Sequence, residues 1–87
     1  MQNLETSRHH IDQIDRELVV LLEKRLHEVK QVIAYKKAHD LPVLDSDREQ
    51  AVLDKVASFV SKPEYKETIT NTFADMMARS REYQAKQ

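Results

Sequence analysis

The sequence predicts an all-α protein with three helices per subunit, one long and two shorter, packed through the long helix against a second copy as an intimate homodimer. Three observations lead there. The chain has no glycine and only two prolines, which leaves helices joined by short polar connections rather than hairpins or glycine-rich phosphate loops. Apolar residues recur at helical spacing through the first forty positions, as Leu4, Ile11, Ile14, Leu18, Leu21, Leu22, Val29, Val32 and Ile33. That stripe is also longer than the rest of the chain can cover.

The first helix is expected from Leu4 to about His39, with no Pro or Gly inside it. It should stop at Asp40-Leu41-Pro42, since a proline disfavours helix at the residue before it. Some 35 residues rise roughly 50 Å, whereas a compact chain of this length has a radius of gyration near 12 Å. Two short helices cannot bury such a rod, so a partner copy is expected on it. The second helix is expected from Ser46 to about Val60, because Ser46-Asp47-Arg48-Glu49 has the form of a capping box. The third starts at Ser61-Lys62-Pro63-Glu64 and runs to the C-terminus through Ile69, Phe73, Met76, Met77, Ser80, Tyr83 and Gln84. No repeat, linker or low-complexity segment interrupts the pattern, so residues 1–87 read as one domain.

Composition narrows the function. Fourteen basic residues against fifteen acidic ones give a net charge of −1, so no global field draws the chain to nucleic acid or a membrane surface. With no cysteine there is no disulfide, zinc thiolate or thiol nucleophile. The four histidines His9, His10, His27 and His39 contain no pair at the i, i+4 spacing of a helical metal site, so no metal is expected. The chain begins without an apolar leader and has no run long enough to span a membrane. It therefore reads as cytoplasmic.

The anomaly lies in the apolar faces themselves. Arg25 and Lys36 fall in the middle of the first stripe, and Arg8 lies at its edge. Arg48 extends the line of Val52, Val56 and Phe59 on the second helix. Burying an unpaired cation is costly, and few acidic residues share these faces. A small, multiply charged anion is the expected counterpart. The other polar residues on the three faces are Asp15, Glu49, Ser80 and Gln84. Arginines can grip two carboxylates, a lysine and an amide can donate to an oxygen that gains charge, and Glu49 can accept from a hydroxyl. The set holds no nucleophile–base pair.

The ordered pattern Arg8-x2-Ile11-x3-Asp15-x2-Leu18-x3-Leu22-x2-Arg25-x10-Lys36, then Pro42-Val43-x-Asp45-x2-Arg48-Glu49, then Ser80 and Gln84, resembles the AroQ-type, all-helical chorismate mutases over nearly the whole chain. The resemblance implies an intertwined dimer with two equivalent sites, each converting chorismate to prephenate by an intramolecular Claisen rearrangement without a cofactor. It implies that Arg8 from the partner chain, Arg25 and Arg48 hold the substrate carboxylates. Lys36 and Gln84 would contact the ether oxygen, Glu49 with Asp45 nearby would engage the ring hydroxyl, and Ser80 would support the ring-carboxylate end. The free-standing form serving phenylalanine and tyrosine synthesis is the expectation.

Two other readings fit parts of this pattern. Isochorismate-pyruvate lyases share the scaffold and its cations but lack an acidic residue where Glu49 stands. A non-catalytic helical dimerisation module would explain the long helix, but not cations within its stripe. A nucleic-acid-binding helix is disfavoured by the net charge and by cations turned inward.

Overall fold

The computed structural model describes residues 3–87, in the order α1 (Leu4–Ala38), α2 (Ser46–Phe59) and α3 (Pro63–Ala85). No strand occurs among the described residues. Each end has a local cause. Asn3 caps α1, its Oδ1 accepting from the Thr6 amide at 2.8 Å, so one otherwise orphaned N–H of the first turn is satisfied. Pro63 stands at the start of α3, where its fixed φ suits a helix and its missing N–H costs nothing.

The end of α1 shows how a chain without glycine closes a helix. Asp40 adopts φ 53°, the left-handed conformation usually given to glycine after a helix. The Leu41 amide then donates back to the Lys36 carbonyl at 2.8 Å, and the Asp40 amide donates to the Lys37 carbonyl at 3.5 Å. This is the Schellman pattern, with aspartate tolerated at the left-handed position.

The second helix starts at Ser46 as expected, but its cap is corrected. Asp45, not Ser46, caps α2: its Oδ1 accepts from the Arg48 amide at 3.0 Å. Ser46 is already helical, and Glu49 is displaced from the capping-box position. Spacing alone could not separate two adjacent oxygen-bearing residues that each have an amide three positions on.

The third helix is the hub, packing against both α2 and α1, while the backbones of α1 and α2 do not come close. The packed centre is small. Among the described residues only Ile33, Val56 and Met77 are buried apolar side chains, and Ser80 is the buried polar one. The molecule measures 55 × 25 × 16 Å with a radius of gyration of 16.0 Å, well above the roughly 12 Å of a compact chain of this length. Most of the α1 stripe remains open to water, with Ile14 54% and Leu18 47% exposed. No helix is long and apolar enough to cross a membrane among the described residues.

The backbone at Asp40 yields a stability prediction. Asp40→Gly should fold at least as stably as the parent, since glycine takes φ 53° freely. Asp40→Val should lose about 1–2 kcal/mol, the cost of left-handed backbone at a residue with a Cβ and no local hydrogen bond. Urea unfolding followed by circular dichroism measures both.

Candidate functional site

Seven of the eight candidate residues line one open cavity of about 160 Å³: Arg25, Lys36, Asp45, Arg48, Glu49, Ser80 and Gln84. The apolar part of its wall is Val29, Val32, Val43, Val52 and Met77. All three helices and the α1–α2 connection contribute. The spacing explains why. Arg25, Val29, Val32 and Lys36 lie on one face of α1, as do Arg48, Glu49 and Val52 on α2 and Met77, Ser80 and Gln84 on α3.

Arg8 is placed elsewhere. It lies on the exposed first turns of α1, with its guanidinium 3.9 Å from the Glu5 carboxylate. Within one chain it is remote from the cavity, which contains none of its atoms.

The picture of buried cations needs adjustment. Arg25 and Lys36 are half-buried, and Arg48 is exposed. They stand on the wall and rim of an open pocket rather than inside a core. This is why an uncompensated charge is tolerated there: water reaches it, and the desolvation cost is largely avoided.

Lys36 is held by two oxygens. Its Nζ donates to the Val43 carbonyl at 2.7 Å and to Gln84 Oε1 at 3.2 Å. Because an ammonium only donates, the Gln84 amide must turn its oxygen toward Lys36 and keep Nε2 as a donor. Nε2 reaches Ser80 Oγ at 3.4 Å, a long contact that a better acceptor would displace. Two donors, one charged and one neutral, therefore stand side by side at the α3 end of the pocket.

The carboxylates of the pocket are both engaged away from its cations. Asp45 caps α2. Glu49 takes an ion pair from Arg81, Nη1 to Oε1 at 2.5 Å. As a result, the side chains of Arg25 and Arg48 have no hydrogen-bond or ion-pair partner among the described residues. A guanidinium without a protein partner beside an apolar wall can take a carboxylate in a bidentate grip.

Sequence reasoning overlooked Arg81. A signal was present: Arg81 lies four residues after the buried Met77 and three before Gln84, so helical spacing puts it on the face that serves the pocket. Its neighbour Glu82 pairs with Arg79 on the exposed side, an ordinary surface contact.

The family model described as chorismate mutase type II matches residues 7–85. The T-protein of Haemophilus influenzae is 45% identical over 53 residues, covering 61% of this chain. This chain spans only 14% of that protein's length. No solved structure matches it significantly.

The position of the α2 cap can be tested on stability. Asp45→Ala should cost about 1 kcal/mol, the usual value of a lost N-cap. Ser46→Ala should be close to neutral. Thermal unfolding of both variants decides between the two caps.

Proposed function

This chain belongs to the chorismate mutase type II family, and we propose that it converts chorismate to prephenate as one domain spanning residues 1–87. The observation that carries the reading is the pair of unpartnered guanidiniums, Arg25 and Arg48, facing the same pocket as the Lys36–Gln84 donors and the Glu49 carboxylate. Chorismate has two carboxylates, an enolpyruvyl ether and a ring hydroxyl, and each finds a counterpart here.

The rearrangement is intramolecular. The ether C–O bond breaks as a C–C bond forms between the side chain and the ring, and no group is transferred to the protein. Catalysis then rests on conformation and charge. Arg25 and Arg48 grip the carboxylates and hold the side chain over the ring, removing the freedom that makes the reactive conformer rare. Lys36 and the Gln84 amide donate to the ether oxygen, which gains negative charge as its bond stretches. Glu49 accepts from the ring hydroxyl, and Ser80 supports the carboxylate end.

The site is completed by a second copy. The stripe of α1 is left open by the described residues, and pairing two long helices would bury it while bringing Arg8 of each subunit to the other's pocket. In this reading Arg8 is the third cation of the clamp. A lyase acting on isochorismate is the second reading; the carboxylate of Glu49 on the pocket wall favours the mutase.

Purified protein incubated with chorismate should yield prephenate, and Arg25→Ala or Lys36→Ala should lower kcat about 100- to 1,000-fold, as expected for loss of a preorganised donor. Products from isochorismate alone would replace the mutase with the lyase. The shared site has a sharper signature. Equal amounts of inactive Arg8→Ala and Arg25→Ala chains, mixed and re-equilibrated, should regain about a quarter of parental activity, because half the dimers are mixed and one of their two sites is intact. No recovery on mixing would sink the shared-site arrangement.

Gln84 makes a prediction about pH. A neutral amide donates at any pH, so the parent should keep its activity through neutrality. Gln84→Glu can donate to the ether oxygen only while protonated, and its kcat should fall steeply as pH rises and the carboxyl ionises. A pH–rate profile of the two proteins from pH 4 to 9 reads the difference.

A further inference from the structure

We propose that Arg81 is a positioning residue that holds Glu49 away from Arg25 and Arg48, keeping the clamp free for the substrate carboxylates. The inference rests on the chorismate reading of the pocket.

Three ion pairs occur among the described residues, and they differ in kind. Arg8–Glu5 and Arg79–Glu82 each join neighbours on one exposed helix surface, with more than half of every side chain in water. Arg81–Glu49 joins the last turns of α3 to the first turn of α2, and its side chains are only 34% and 24% exposed. Such a pair is screened less than a surface one and holds its geometry better.

Its position gives it a function. Glu49 shares the pocket wall with Arg25, Lys36 and Arg48, whereas Arg81 is absent from that wall. A carboxylate among three cations would otherwise fold onto the nearest guanidinium and occupy the place meant for a ligand. It would also repel an incoming dianion. Arg81 prevents both by supplying a cation from outside the pocket.

The geometry further leaves one oxygen to work with. Arg81 takes Oε1, and Oε2 has no donor among the described residues. An ionised carboxylate accepts at both oxygens. Glu49 can therefore stay anchored through one oxygen while the other receives a ring hydroxyl.

The test is a double-mutant cycle in steady-state kinetics with chorismate, on Arg81→Gln, Glu49→Gln and the double variant, with Arg81→Lys as the charge-conserving control. Arg81→Gln is expected to raise KM about 10- to 100-fold, the range corresponding to one charge-assisted hydrogen bond, with a smaller effect on kcat. In the Glu49→Gln background the same substitution should change KM less than about twofold, because no carboxylate remains to compete. Arg81→Lys should recover much of the loss. An effect of equal size in both backgrounds would overturn the inference, as would an unchanged KM in Arg81→Gln. Circular dichroism melts identify a variant that has lost its fold, and the comparison between backgrounds still holds for the folded fraction. If the parent itself fails to turn over chorismate, it is the functional reading that falls.

Discussion

The ammonium of Lys36 ties together three parts of the chain, α1, the connection that follows it and α3. It sits in the last turn of α1 and donates both to the Val43 carbonyl of the connection and to Gln84 Oε1 of α3. The turn that follows α1 makes this possible. Asp40 in the left-handed conformation reverses the backbone onto the Lys36 carbonyl, so the same residue anchors the turn through its backbone and the site through its side chain. Without that tie, the α1–α2 connection would keep its turn hydrogen bonds but lose its side-chain anchor to α1 and α3. Asp45, which follows two residues after Val43, would lose the position from which it starts α2. The fold near the site is thus organised around a cation and its oxygen ligands more than around a hydrophobic centre.

Charge is sorted within the pocket rather than balanced there. Three cations and two carboxylates line it, which could have collapsed into mutual ion pairs. Each acid is instead drawn off by a partner that is not a clamp cation: Asp45 by a backbone amide, Glu49 by Arg81. Lys36 is satisfied by neutral oxygens. What remains unpaired among the described residues of the pocket is Arg25 and Arg48, the two groups best shaped for bidentate contact with a carboxylate. The two open guanidiniums result from which pairs are prevented as much as from which residues are present.

Much of this was legible from the sequence, and the residues that escaped did so for identifiable reasons. The three helices follow from the apolar period and from Pro42 and Pro63, and their observed limits lie within two residues of the expected ones. Six of the residues that line the pocket, Arg25, Lys36, Arg48, Glu49, Ser80 and Gln84, were visible because a polar group on an apolar face breaks a strong pattern, whereas Asp45 entered only through the family resemblance. Two features were not visible. The α2 cap was assigned to Ser46, since the capping box and the true cap at Asp45 share the same spacing rule and differ only in backbone angles. Arg81 was passed over because a second polar residue beside Ser80 looks like the solvent side of a helix; only the packing of α2 against α3 reveals that Glu49 meets it. The degree of burial was also overestimated. Periodicity reports which way a side chain points, while the exposure of Arg48 depends on what stands opposite.

That last difference bears on how association and chemistry are linked in the proposed dimer. A single chain buries only Ile33, Val56, Met77 and Ser80 among its described residues, too little to expect much stability from one copy alone. The surface it leaves open is the α1 stripe that also carries Arg25 and Lys36. A partner helix laid on that stripe would remove apolar area from water, which drives association. It would also narrow the mouth of the pocket and lower the effective dielectric around the cations, strengthening their hold on a bound dianion. With Arg8 delivered by the same contact, the interface that completes the core would complete the clamp. A cation placed on an association stripe penalises pairing unless an anion joins it. Substrate binding and dimerisation should therefore stabilise each other, each supplying what the other lacks.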